Sequence, residues 1–145
     1  MRYLLAAIIL VFALAETSGA KSPAQPDYKK VVKHFDGNKT IIGETIRYPS
    51  GNPVNIQSLV VTLLPGETTG WHKHGVPTYG YILSGSVTVD YGEKGKRTYR
   101  AGDAFMEAMD WWHNGSANGS EPVRILVVFM GAKGVRPVIR EGAPK

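Results

Sequence analysis

The chain of 145 residues contains no cysteine. This absence excludes disulfide bonds, a thiol nucleophile and thiolate metal ligands. A folded domain of this chain must therefore be held together by its hydrophobic core, and a bound metal or a partner subunit is the candidate for further stabilisation.

Long hydrophobic runs are scarce as well. The longest covers Tyr3–Ala15, thirteen residues, whereas a helix needs about 20 residues to cross a bilayer. One positive charge at Arg2 precedes this run, and three small residues ending at Ala20 follow it. This arrangement is typical of a secretory signal peptide over residues 1–20. We therefore expect a mature protein that is secreted or periplasmic and has no membrane span.

Several motifs of known chemistry are also missing. The chain has no glycine-rich phosphate loop and no G-x-S-x-G nucleophile elbow. Its net charge is +5, but the basic residues are scattered, apart from a modest cluster between Lys94 and Arg100. No nucleic-acid recognition motif and no run of stacking aromatic residues accompanies that cluster. We therefore expect a solvated hairpin there and no nucleic-acid partner.

What the chain does contain is a series of short β-type segments. They are rich in Val, Ile, Thr, Tyr and Phe, and each is bounded by glycine, proline, asparagine or serine. No stretch of the mature chain shows an apolar period of 3.6 residues. An all-β barrel or sandwich is therefore predicted. The seven predicted strands cover residues 40–48, 54–64, 79–85, 86–92, 96–102, 103–108 and 123–131.

These segments predict one domain behind a short leader. Residues 21–36 are expected to form a leader or a first strand, residues 37–140 the domain, and residues 141–145 a tail. The apolar strand over residues 123–131 suits a core or an interface between copies of the chain. A homodimer is therefore among the expected partners.

Two of the four histidines lie one residue apart. In an extended chain, the side chains of His72 and His74 point to the same face and are close enough to bind one ion. Imidazole is the commonest protein ligand for transition metals, and His113 follows a predicted strand as a candidate third ligand. The alternative is that the pair consists of two surface residues, as a single H-x-H more often does.

The residues around these histidines resemble the two motifs of the cupin family. The first motif is glycine, five residues, His-x-His, three or four residues, glutamate, six residues and glycine. Gly66, His72, His74 and Gly85 stand in these places, and Thr78 stands where the family has the glutamate.

The second motif is glycine, five residues, proline, one residue, glycine, two residues, histidine, three residues and asparagine. Gly102 and His113 match it in register, and the resemblance covers about residues 63–118. The other three places differ, with Ala108 for the proline, Asp110 for the second glycine and Ala117 for the asparagine.

The resemblance implies a cupin-like jelly-roll barrel in which His72, His74 and His113 hold a divalent transition metal, such as iron, zinc, manganese or nickel. Cupins include dioxygenases, isomerases, lyases, sugar-binding proteins and sensory domains, so the fold does not name the reaction. One hypothesis is a metal enzyme, such as a non-haem dioxygenase, that acts on a small organic ligand. The other is a small-ligand-binding or sensory module that works with or without a metal.

The replacement of the family glutamate by Thr78 bears on the ligand. Three neutral ligands leave a divalent ion its full charge, which favours an anionic ligand and an additional open position. Glu107 could supply a carboxylate instead, because it shares strand parity with Phe105. Glu107 is predicted as a replacement ligand or as a base that orients one imidazole, and an exposed acid is the alternative. Thr78 is a further candidate for an additional ligand or for a residue that supports one.

Aromatic residues crowd both motifs. Tyr79 and Tyr81 share one face of a predicted strand, and Trp112 directly precedes His113. We predict that Tyr79, Tyr81, Phe105 and Trp112 line the ligand pocket. Ordinary core packing is the alternative for each of them.

Overall fold

The computed structural model describes residues 31–51 and 53–144. Regular structure in these ranges is β-strand, with a single 3₁₀ turn over Gly92–Lys94 and no α-helix. Within the same residues, no helix is long and apolar enough to cross a membrane. The predicted signal peptide over residues 1–20 and most of the predicted leader lie outside the described residues.

Nine strands make up the described fold. Six of the seven segments predicted as strands contain one, which confirms the all-β fold class. Three short strands were not predicted because two to four residues are too few to show a period of two. The strands are β1 (Val54–Leu63), β2 (Lys73–His74), β3 (Thr78–Ser84), β4 (Ser86–Asp90), β5 (Lys96–Arg100), β6 (Ala104–Met106), β7 (Asn114–Ala117), β8 (Val123–Ala132) and β9 (Val138–Ile139).

The strand prediction for residues 40–48 is wrong. The chain turns back on itself here, with the Gly43 amide donating to the Thr40 carbonyl at 2.9 Å and a single bridge between Lys39 and Thr45. Gly43 has a φ of 90°, which residues with a side chain rarely adopt. The Thr40 hydroxyl also bonds the Glu44 carboxylate at 2.9 Å, and such local side-chain bonds compete with strand pairing.

Two antiparallel sheets enclose the core. One has the strand order β1-β8-β3-β6 and the other β5-β4-β7, while β2 and β9 form a separate pair. Residues of both sheets, such as Ile82, Val87 and Ile125, belong to one buried cluster, so the sheets face each other. This arrangement agrees with the predicted jelly-roll barrel.

Alternation along β3 decides which side chains enter the barrel. Thr78, Gly80 and Ile82 are buried, whereas the residues between them are only partly covered. At Gly80, an added Cβ would lie 2.6 Å from the ring of Phe105, so this ring occupies the space where a side chain would be. Because Gly80 has no side chain, the Phe105 ring of β6 can pack directly over the backbone of β3 inside the barrel.

Candidate metal centre

The backbone places two of the histidines directly opposite each other. The His72 amide donates to the His113 carbonyl at 3.0 Å, and the His113 amide donates to the His72 carbonyl at 2.9 Å. The two residues form an isolated antiparallel bridge. Because directly opposite residues of an antiparallel pair point to the same face, both imidazoles project into the barrel together.

The third imidazole comes from the short strand β2. His74 pairs with Val138 of β9, and its amide donates to the Met109 carbonyl at 2.8 Å. Its ring centroid lies 5.0 Å from those of both His72 and His113. One ring nitrogen from each of the three histidines lies within 4.8 Å of the others, which is close enough for all three to bind a single ion.

Main-chain carbonyls orient all three rings. The Nδ1 atom of His72 lies 2.8 Å from the Gly70 carbonyl, and that of His113 lies 2.9 Å from the Trp111 carbonyl. The Nδ1 atom of His74 lies 3.0 Å from the Pro137 carbonyl. A carbonyl oxygen can only accept, so each Nδ1 carries the proton and each Nε2 presents a lone pair.

Burial keeps these imidazoles neutral. It lowers the pKa of His72 to about 4, with a further contribution from His113. It also holds the pKa of His74 well below its ordinary value and lowers the pKa of His113. The Nε2 atom of His113 is fully buried and has no hydrogen-bond partner among the described residues. Such an orphaned acceptor costs free energy unless something binds it, and a metal ion would do so.

Thr78 and Glu107 face each other across the ladder between β3 and β6. Tyr79 pairs with Met106, and the Glu107 amide donates to the Thr78 carbonyl at 2.8 Å. Both side chains are buried and line the same cavity. The Thr78 hydroxyl donates to the Val76 carbonyl at 3.0 Å. The interior therefore holds a carboxylate, but it comes directly after β6, opposite the place where the cupin motif has one.

One oxygen of Glu107 is held in place, and the other has no hydrogen bond from the part of the chain that the structure describes. Its Oε1 atom accepts from the Tyr91 hydroxyl and from the Ala108 amide, both at 2.8 Å. Its Oε2 atom lies 4.0 Å from the His113 Nε2 atom, too far for a hydrogen bond. Burial raises the pKa of Glu107 to about 7, although both hydrogen bonds act in the opposite direction. Since the pKa of His113 is lowered, this contact is not an ion pair at neutral pH in the metal-free protein.

The three histidines line a cavity of about 330 Å³, at the lower end of the range for small-molecule sites. Its walls are mainly apolar and come from both sheets. The polar side chains on the wall are those of Thr68, Thr69, His72, His74, Thr78, Glu107, His113 and Arg140, and the apolar ones include Val61, Leu63, Val87, Val89, Phe105, Ile125, Val127, Phe129 and Val138.

Of the four aromatic residues predicted for the pocket, only Phe105 lines this cavity. The prediction is wrong for Tyr79 and Tyr81, which alternate with the inward-facing residues of β3. Tyr79 lines a groove on the outer side of the sheet, and the ring of Tyr81 packs edge-on against His34 at 4.9 Å between centroids. The prediction is also wrong for Trp112, which does not line the cavity. The centre of its ring lies 5.5 Å from the Lys73 ammonium group instead.

Sequence reasoning missed two residues of the cavity region. Tyr91 is fully buried and holds Glu107. Arg140, directly after β9, lines the cavity and donates from Nη1 to the Thr69 carbonyl at 2.9 Å. In the sequence, Arg140 directly follows the apolar pair Val138–Ile139, which could have indicated a short strand. That signal could not show that this short strand pairs with the strand carrying His74.

Comparison with known proteins agrees with this architecture. Residues 59–129 match the family model described as "Cupin domain". A cupin-like protein from Thermotoga maritima shares 21% identity at a TM-score of 0.54, over 61% of this chain and 66% of that one. Oxalate decarboxylase from Lactobacillus farciminis, in its formate complex, shares 24% identity at a TM-score of 0.50. These two likenesses concern the fold alone.

The decarboxylase structures are much longer than this chain. The chain covers 26% of the Lactobacillus farciminis enzyme, and 59% of this chain takes part. A variant of the Bacillus subtilis oxalate decarboxylase shares 27% identity at a TM-score of 0.49, over 59% of this chain and 24% of that one. No curated protein sequence matches the chain.

Proposed function

Because this chain carries a cupin domain over residues 59–129, we propose that it binds one divalent transition metal through His72, His74 and His113, and a small organic ligand in the cavity beside it. The orientation of the three imidazoles supports this proposal most directly. All three Nδ1 atoms are within hydrogen-bonding distance of main-chain carbonyls, which directs three Nε2 lone pairs to one place. Without a bound ion, three buried imidazoles with unpaired Nε2 atoms would destabilise the core, because buried polar groups without partners cost free energy.

The chain's own groups then have distinct tasks. The three imidazoles hold the ion, and the apolar walls exclude water and cover the body of the ligand. Glu107 presents its Oε2 atom 4.0 Å from the His113 Nε2 atom, so its carboxylate could add a ligand or accept a proton beside an ion that His113 held. When bound, the ion supplies a Lewis-acidic centre with positions open to the ligand.

Metal binding can be tested with variants of single histidines. We expect protein purified without chelators to hold about one equivalent of zinc, manganese, nickel or iron. His72→Ala or His113→Ala should lower zinc affinity at least about 100-fold, whereas His34→Ala should leave it unchanged. His34 is the matched control because it lies outside the cavity, against Tyr81. Less than about a tenth of an equivalent of every metal, in wild type and variants alike, would refute the metal site.

Turnover of the ligand is a separate part of the proposal. With ferrous iron in the site, a non-haem dioxygenase would consume oxygen in the presence of its substrate, whereas a binding or sensory module would release the ligand unchanged. An oxygen electrode with iron-loaded protein and a panel of small carboxylates, diketones and catechols separates these cases. Oxygen uptake that His113→Ala abolishes would establish the enzyme.

Export and pairing complete the proposal. A signal peptide over residues 1–20 would be removed on secretion, and N-terminal sequencing of the protein from the periplasmic fraction would detect this. A homodimer is supported by β1, which pairs with β8 alone among the described strands and exposes the side chains of Ile56 and Val60. Light scattering after size-exclusion chromatography would give the oligomeric state, and Val60→Lys should produce a monomer.

A further inference from the structure

Arg140 is the one positively charged side chain that the described residues contribute to the cavity wall. Its guanidinium group is held at the exposed edge of the cavity, where Nη1 donates to the Thr69 carbonyl at 2.9 Å. The next residue, Gly70, provides the carbonyl that lies 2.8 Å from the Nδ1 atom of His72. The guanidinium group is thereby fixed on the His72 side of the three histidines.

A glycine lies where Arg140 approaches the backbone most closely. A Cβ at Gly70 would lie 3.2 Å from the Nη1 atom of Arg140, and Gly70 also has a φ of 70°. The absent side chain leaves the space in which the guanidinium group lies. The local backbone therefore allows the contact with Thr69 that fixes this arginine at the edge of the cavity.

No described carboxylate neutralises this charge. The nearby Glu141 pairs with Arg136 at 2.6 Å instead, and no acidic group of residues 31–51 or 53–144 lies within 4.0 Å of the Arg140 guanidinium nitrogens. A guanidinium group has five N–H donors in a planar fork that matches a carboxylate. One nitrogen is engaged by Thr69, which leaves other donors of the fork for a ligand.

The rest of the cavity selects the body of that ligand. Beyond the histidines most of its walls are aliphatic or aromatic, with Leu63, Ile125 and Phe129 among them, and besides Arg140 the other polar side chains are three threonines and Glu107. The acidic group of the wall is Glu107, on the side of His113, so Arg140 is the better-placed partner for a carboxylate. The cavity thus offers a cation at its exposed edge and apolar surface in its interior.

We propose that Arg140 is the anion-binding residue of this cavity, and that its ligand is a small monocarboxylate with an apolar body. The carboxylate binds the guanidinium group beside the three histidines, and the apolar body fills the interior. This inference rests on the proposed function, because it assumes that the cavity is a ligand site. It adds to that function the chemical class of the ligand and the residue that selects it.

Benzoate and benzamide are suitable probes because they have nearly the same shape and differ in charge. Their affinities can be measured by calorimetry with the metal-free and the zinc-loaded protein. Arg140→Met should weaken benzoate binding about tenfold in both forms, which corresponds to one charge-assisted hydrogen bond at a partly solvated site. Benzamide binding should change less than about twofold, and Arg140→Lys should restore part of the affinity for benzoate.

Arg136→Met is the matched control, since Arg136 lies on the same segment, is exposed and pairs with Glu141. It should leave benzoate binding unchanged. The proposal is overturned if wild type does not prefer benzoate to benzamide, or if Arg140→Met keeps its melting temperature and its benzoate affinity. Arg140→Gln provides a second neutral variant should the first fail to fold.

The metal-free arm separates this proposal from the metal site. Benzoate binding that depends on Arg140 in protein that takes up no zinc would support the anion site and refute the metal function. Zinc binding at the histidines without any preference for benzoate would support the metal function and refute the anion site.

Discussion

The burial of Glu107 should make the metal-free protein less stable at neutral pH than a variant with a neutral side chain. Glu107→Gln keeps the shape of the residue, and its carbonyl oxygen can accept the same bonds from the Tyr91 hydroxyl and the Ala108 amide. What the substitution removes is a negative charge in the barrel interior. We therefore expect Glu107→Gln to raise the free energy of unfolding when no metal is bound.

The size of this effect follows from the two pKa values of the carboxyl group. Burial raises the pKa of Glu107 from 4.5 to about 7 in the folded protein. The unfolded chain therefore releases its proton at lower pH than the folded chain, and stability is lost as the pH rises from 4.5 to 7. Each pKa unit corresponds to about 1.4 kcal/mol, so the cost reaches at most about 3 kcal/mol above pH 7.

Urea unfolding in EDTA, at several values between pH 4.5 and pH 8, measures this difference directly. Glu107→Gln should match wild type at pH 4.5 and exceed it by up to about 3 kcal/mol at pH 8. The three histidines are present in both proteins, so their contributions largely cancel in the difference. Glu93→Gln, at an exposed acid of the 3₁₀ turn, is the control and should show no such rise. A difference that does not change with pH, or a variant less stable than wild type at pH 8, would refute this reasoning.

Three further predictions concern the same interior. Gly80→Ala should destabilise the fold by about 1–3 kcal/mol in urea unfolding, because its Cβ would meet the Phe105 ring at 2.6 Å. In zinc titrations, Glu107→Gln should lower affinity about tenfold, and adding Thr78→Glu to that variant should restore it from the opposite strand. In the Glu107→Gln background, which removes the opposite contribution of Glu107, the metal-free protein should lose stability as the pH falls from about 6.5 to 4. Burial lowers the pKa of His72 to about 4, so the unfolded chain takes up the proton first, and His72→Gln should flatten this dependence in acid titrations followed by circular dichroism.

The strands that could be predicted are those long enough to show alternation and bounded by turn residues, such as β1 and β8. The parity of His72 and His74 predicted that both imidazoles share a face, and they do. The same parity continues through Thr78 and Gly80, which places Tyr79 outside the barrel. The tyrosines lie close to the histidine pair in sequence but on the other face of β3, and Gly80 has no side chain that would mark the inner face.

Other parts of the site depend on pairings between distant segments. The Pro137 carbonyl reaches the Nδ1 atom of His74 only because β9 pairs with β2. The same pairing brings Arg140 to the cavity. Tyr91 meets Glu107 across the core. Loop lengths and packing determine such contacts, so they cannot be predicted from composition or local periodicity.

The carbonyl contacts of the three imidazoles bear on when a metal would enter the proposed site. Because folded main chain rather than an ion turns each Nδ1 away from the cavity, the proposed site would take its shape as the barrel folds, and metal would bind after folding. Removing the ion would then leave a folded receptor that can be refilled. The affinity of nitrogen ligands for divalent ions follows the chemistry of the ions and not that of one protein. Which ion such a site holds would therefore depend strongly on which ions are available when it is filled. The resident ion of such a protein would record the compartment in which it was loaded.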